Sequence, residues 1–148
     1  MNELLLMCRL GGRRAAIPAS QVQSVIEIDG VTPIPRAPDR VVGLTALRSQ
    51  ALTVIDCRVV LGLEPSEIRK DSRAAVVRHE GHAYALLVDE AYDVEEAVSD
   101  IANLPGGFGE GWQNAALGMV ETAQGPALVL SVEKLVDGPS SDEIDRAA

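Results

Sequence analysis

Residues 42–63, Val-Gly-Leu-Thr-Ala-Leu-Arg-Ser-Gln-Ala-Leu-Thr-Val-Ile-Asp-Cys-Arg-Val-Val-Leu-Gly-Leu, constrain the fold more than any other stretch. The runs 42–48 and 51–56 are apolar or β-tolerant and of strand length, and only Ser49-Gln50 interrupts them. A two-residue loop at Ser49-Gln50 predicts Leu47 opposite Leu52, Thr45 opposite Val54 and Gly43 opposite Asp56. The other face then pairs Arg48 with Ala51, Ala46 with Thr53 and Leu44 with Ile55. Apolar groups on both faces require cover on both sides, as in a small barrel or a sheet interface. Asp56 is placed to cap a short helix that Gly62 ends in a left-handed residue.

A chain of 148 residues makes one ordinary domain, or two very small lobes sharing an interface. With 47% hydrophobic but only 3% aromatic residues, its core must be built from Val, Leu, Ile and Ala, which suits strands. A net charge of -9, without a basic stripe, argues against nucleic acid and against an anionic membrane surface. Arg13-Arg14 and Arg69-Lys70 are isolated pairs. The N-terminal apolar run follows an acid and is too short for a signal peptide or a membrane span. Cys8 and Cys57 sit in apolar, strand-like settings and read as reduced, inert thiols of a cytoplasmic protein.

In chain order, residues 3–10 and 13–17 read as strands around Gly11-Gly12, followed by a helical turn at 20–25 on which Val22 and Val25 share a face. Pro33, Pro35 and Pro38 make 31–40 an extended connector. The polar stretch 64–72 marks the end of a first lobe, spanning about 15–72. Residues 73–79 and 82–89 form a second hairpin across Glu80-Gly81, pairing Val77 with Tyr84, Val76 with Ala85 and Ala75 with Leu86. A strand at 92–98, a third hairpin at 115–121 and 126–131, and a closing helix at 132–136 complete a second lobe at about 73–136. A polar tail occupies 137–148. No long repeat is visible, yet each half has hairpins followed by a helical turn, which suggests two similar lobes.

Little in the chain looks like chemistry. His79 and His82 would face each other across a turn, and with Glu80 they give an alternative reading as a metal-binding protein or metal-dependent enzyme. That set lacks further ligands, and exposed histidines at a hairpin end are the plainer account. The acids Asp89, Glu90, Asp93, Glu95, Glu96 and Asp100 lack a calcium-loop pattern and read as a solvated strand edge. The glycines of 105–111 lack the Lys-Ser/Thr and helix start of a phosphate cradle, and read as a flexible loop. No nucleophile has a recognisable His and acid setting. Arg48 has small same-face neighbours, so it can lie across them as a snorkelling cap or a partner contact.

Gly43-Leu-Thr-Ala-Leu-Arg-Ser, then Val54-Ile-Asp-Cys-Arg, then Leu61-Gly-Leu, resembles the signature of CheW-like domains. Ala16-Ile17-Pro18, Val22, Val25, Val88-Asp89, Leu117-Gly118 and the segment Ser131-Val132-Glu133-Lys134-Leu135 extend the likeness over nearly the whole chain. The resemblance implies a mostly β fold of two five-stranded SH3-like barrel lobes with short helices, in one CheW-like domain over residues 1–148. The N-terminal strand at 3–10 would complete the second lobe. It implies a non-enzymatic adaptor without cofactor, metal or catalytic residues, working in the cytoplasm at receptor arrays on the inner membrane. Its expected partners are the regulatory domain of a CheA-type histidine kinase and the cytoplasmic tip of methyl-accepting chemoreceptors, with no nucleic acid and no direct membrane insertion. Val22, Gly43 and Arg48 match positions where the family's coupling is sensitive, Arg48 orienting an inter-lobe groove and Gly43 admitting a close neighbour. The chain departs from the family pattern at Ser49 for Gly, Ala46 for Asn, Thr53 for Pro and Cys57 for Leu.

Overall fold

The computed structural model describes residues 3–138. The tail from 139 on and the first two residues lie outside the described residues. The chain runs β1 (Leu4–Leu10), β2 (Arg13–Pro18), β3 (Val22–Glu27), β4 (Val41–Leu47), β5 (Gln50–Asp56), α1 (Cys57–Val60), β6 (Arg73–His79), β7 (His82–Val88), β8 (Glu90–Glu96), α2 (Glu110–Ala115), β9 (Ala116–Thr122), β10 (Gly125–Leu130) and α3 (Val132–Asp137). Asp137, expected in the tail, belongs to α3.

The strands form two five-stranded sheets. The terminal sheet is ordered β8-β1-β2-β10-β9, and the central sheet β3-β6-β7-β5-β4. Continuous ladders do not close either sheet on itself. Isolated bridges do join the edges: Thr32 to Leu44 in the central sheet, Ala97 to Thr122 and Ala102 to Met119 in the terminal one.

Residue 72 is therefore not a lobe boundary. β6 and β7 complete the central sheet, while β1 and β2 leave the first half of the chain and pair with β8 and β10. Long-range pairing overrides the local polarity of residues 64–72, which cross between hairpins of the same sheet.

Strand alternation supplies three apolar layers rather than two. Leu52 and Val54 of β5, Ala74 and Val76 of β6, and Leu87 of β7 fill the inner face of the central sheet. Leu5, Met7, Ala16, Val120 and Val129 fill that of the terminal sheet. The neighbouring residues in the same strands, among them Leu6, Cys8, Ile17, Ile55, Val77, Leu86 and Leu130, meet in one core between the sheets. A period of two divides each strand between a private core and the shared one. This is why β5 is apolar on both faces.

Two local expectations shift. The β4–β5 turn is Arg48-Ser49, with φ 49° and 72°, and Leu47 opposes Gln50, Thr45 Leu52 and Gly43 Val54. Positive φ at both central residues matches the twist of a two-residue hairpin. The slip of two residues keeps every strand side chain on its expected face but takes Arg48 off the strand. Val22 opens β3 after a 3-10 turn, Ala19–Gln21, instead of riding a helical turn. A bulge between Val22 and Ser24 keeps Val22 and Val25 on the shared-core side. The β6–β7 register is the expected one throughout.

Candidate docking site between the two sheets

The seam between the sheets is pinned by side chains of the signature stretch. Asp56 ends β5, accepts from the Arg58 backbone N–H at 3.1 Å as the cap of α1, and holds Ser66 through its N–H at 2.8 Å and its hydroxyl at 2.7 Å. Gly62 follows α1 with φ 77°. Arg58 donates from Nε to the Glu64 carbonyl at 2.7 Å and from Nη1 to Asp89 Oδ2 at 2.8 Å. The same Asp89 oxygen accepts from the Gly11 N–H at 2.9 Å, in the β1–β2 turn. Asp89 lies where the chain passes from β7 in the central sheet to β8 in the terminal one. It is thus a clamp between sheets and not a solvated edge acid. Across the seam, Arg40 donates from Nε to the Val136 carbonyl at 3.0 Å, a cation at the C-terminal end of α3.

Near α3 the seam opens into a cleft of about 400 Å³ lined by Ser20, Gln21, Gln23, Arg78, His79, Val132 and Glu133. Val22 lies between two of these residues, half-buried, with its side chain packed on the shared core. His79 Nε2 is 3.2 Å from Asp137 Oδ1, which ties β6 to α3 beside the cleft.

Gly43 and Arg48 lie elsewhere. Gly43 is buried in β4 with φ 154°, and a Cβ there would sit 2.2 Å from the Thr32 carbonyl oxygen. Its close neighbour is thus the chain's own connector and not a partner or the other lobe. Arg48 is exposed at the hairpin tip and lines neither the cleft nor the seam. The inter-sheet role expected of Arg48 falls to Arg58 and Arg40. Asp56 and Arg58 stood in the signature stretch, but the bonding of Arg58 to residue 89 has no local signal. Asp89 was hidden in a run of acids.

His79 and His82 are register partners, yet among the described residues no three His, Cys, Asp or Glu side chains gather to hold a metal. His79 turns instead to Asp137. The glycine-rich stretch leads directly into α2, with Gly109 before its first residue and the Gln113 N–H donating to the Gly109 carbonyl at 3.1 Å. Burial pushes the Cys8 thiol up to about 12, helped by the nearby Asp89 charge. Cys57 is raised too, by burial first and then by Cys8 and acids around it. Both lie in the shared core as free, inert thiols. Among the described residues, no helix is long and apolar enough to cross a membrane.

The protein is thus two small sheets on one shared core, with an open polar cleft on their seam. The chain belongs to the CheW-like domain family, whose model matches residues 4–140. It is 29% identical to a chemotaxis protein CheW of Helicobacter pylori in an alignment of length 112 that covers 68% of this chain and 68% of that protein. It is 32% identical to the protein PilI of Pseudomonas aeruginosa over 87 residues, 59% of this chain but about half (49%) of PilI. The fold is also that of the scaffolding protein TtCheW of Thermoanaerobacter tengcongensis, with a TM-score of 0.79, 22% identity, and coverage of 91% of this chain and 92% of that one. Membership of the family makes the chain a non-enzymatic scaffold domain of chemotaxis-type signalling.

Proposed function

We propose that this chain couples the cytoplasmic tips of methyl-accepting chemoreceptors to the regulatory domain of a CheA-type histidine kinase. The carrying observation is the CheW-like match over 4–140 on a body whose seam opens into a cleft lined by Gln21 and Gln23, the neighbours of Val22 in the chain. The cleft is lined by Val132 and by the polar side chains of Gln21, Gln23, Arg78 and Glu133, a mixed lining that suits the side of a helical hairpin such as a receptor tip. Arg48, exposed at the β4–β5 tip, suits the kinase domain, since Arg is over-represented at interface hot spots. Gly43 acts indirectly, by letting Thr32 close on β4. The isolated bridges support reading each sheet as a closed five-stranded SH3-like barrel, which would keep edge strands from pairing with other chains. The work is done in the cytoplasm at receptor arrays and needs no cofactor.

Calorimetric titration with a receptor-tip helical hairpin and with a kinase regulatory domain tests this. Arg48→Ala weakens kinase-domain binding at least tenfold and Val22→Ala weakens tip binding, while both variants melt cooperatively. Wild-type affinities in both variants would remove these residues from the interfaces.

A further inference from the structure

The two halves of the chain repeat one plan. Residues 4–60 run hairpin β1–β2, strand β3, hairpin β4–β5 and helix α1; residues 73–137 run hairpin β6–β7, strand β8, hairpin β9–β10 and helix α3. Only α2 and the 3-10 turn Ala19–Gln21 lack a counterpart. Pairing registers repeat with it. Val22 opposes Val77 and Val25 opposes Ala75 around a bulge; Ala91 opposes Cys8 and Val94 opposes Leu6 around another. Each of these equivalents (22 and 91, 25 and 94, 8 and 77, 6 and 75) is 69 residues apart. In the second hairpin the interval is 75: Gly43 and Gly118 each face a connector carbonyl, of Thr32 and Ala102, and Asp56 and Ser131 each cap the following helix. The two parallel pairings, Thr53 with Tyr84 and Leu128 with Ala15, obey both intervals at once.

In each half, however, the first hairpin lies in the other half's sheet. Every layer therefore draws on both halves: Ile28, Leu52 and Val54 pack with Ala74, Val76 and Leu87 in one, and Leu5, Met7 and Ala16 with Val120 and Val129 in the other. The covalent link between these interlocked halves is residues 61–72 alone.

We propose that a second copy of this chain is a partner for it: two chains can exchange halves, the first half of each building both sheets with the second half of the other. All ladders and all three apolar layers are rebuilt in such a dimer, and only the 61–72 link changes path. The dimer carries the Val22 cleft twice, so it offers two copies of that site where the monomer offers one. This inference rests on strand topology alone and is independent of what occupies the cleft.

Shortening the link tests it in the full chain. Without residues 63–71, only Leu61, Gly62 and Ser72 remain to carry the chain from α1 over the end of β7 to β6, and a link shortened to this length favours seating that half on another copy. Light scattering is expected to read twice the monomer mass, with the strand content of the parent by circular dichroism. A folded monomer overturns the proposal. If the shortened chain does not fold, full-length Gly43→Val and Gly118→Val decide. Denatured separately, mixed and refolded, they leave one unit free of both lesions in every exchanged heterodimer. Recovery of the parent melting transition in the mixture, absent from either variant alone, supports exchange, whereas a mixture that melts as the sum of its parts overturns it.

Discussion

Arg58 Nη1 lies 2.8 Å from Asp89 Oδ2, and this contact ties the end of the signature stretch to the point where the chain changes sheets. Both side chains are about a quarter exposed (24% and 27%), so the ion pair is partly screened, but the same oxygen also holds the Gly11 N–H. Removing the carboxylate thus releases α1 and the β1–β2 turn together.

Asp89→Ala is expected to lower stability by about 1–2 kcal/mol, the worth of charge-assisted hydrogen bonds discounted for solvent. Arg58→Ala should show about 1 kcal/mol of coupling with it in a double-mutant cycle. Urea melts of the four proteins check both figures, and additive effects would mean that the pair does not join the sheets.

Gly43 and Gly118 are the least replaceable residues of the outer hairpins. A Cβ would fall 2.2 Å from the Thr32 oxygen in one case and 2.1 Å from the Ala102 oxygen in the other. Gly43→Val and Gly118→Val each break an edge bridge and are expected to cost more than about 3 kcal/mol, beyond the usual range for single substitutions. Thermal melting measures this, with Gly62→Ala as the control: it meets no neighbour and suffers only its positive φ of 77°, about 1 kcal/mol.

Ser49 holds φ 72° at the hairpin tip, a left-handed conformation that a side chain opposes. Ser49→Gly should stabilise the protein by up to about 1 kcal/mol, read as an upward shift of the melting temperature. Arg48→Ala, one residue earlier, should leave that temperature nearly unchanged.

The buried thiols give a pH dependence of definite sign. The Cys8 thiol is pushed up to about 12, and Cys57 is raised as well. Unfolding returns both to the ordinary thiol range, ~8.5, so the unfolded chain loses these protons first. The stability from keeping the thiols neutral is full below that range. It falls as pH rises from there, toward 12 for Cys8, by up to ~1.4 kcal/mol per pH unit for that thiol, and Cys57 adds a loss of the same sign. Urea melts at pH 7.5 and 9.5 should show the loss, and Cys8→Ala should reduce it. At pH 8 a thiol reagent should modify neither cysteine until the protein unfolds.

The sequence was most legible where pairing is local. Alternation on either side of Glu80-Gly81 sets the β6–β7 register, and Asp56 with Gly62 brackets α1, because each signal lies within a few residues of its effect. The β4–β5 turn is misplaced by its polarity: Ser49-Gln50 looks like the loop, but the backbone puts the left-handed residues at Arg48 and Ser49, with no glycine to announce them. α2 hides behind Gly109, which starts the helix without a side-chain cap. The exchange of hairpins between halves is invisible locally, since residues 73–88 would form the same hairpin in either sheet. The clamp at Asp89 escaped for a like reason: its partners, Gly11 and Arg58, are 78 and 31 residues away.

The most direct test is whether one molecule of this chain joins two partners. Analytical ultracentrifugation of the chain with a receptor-tip helical hairpin and a kinase regulatory domain should show a three-component complex that neither pair of components accounts for. Sedimentation in which the chain binds neither partner, or in which each excludes the other, would contradict an adaptor role.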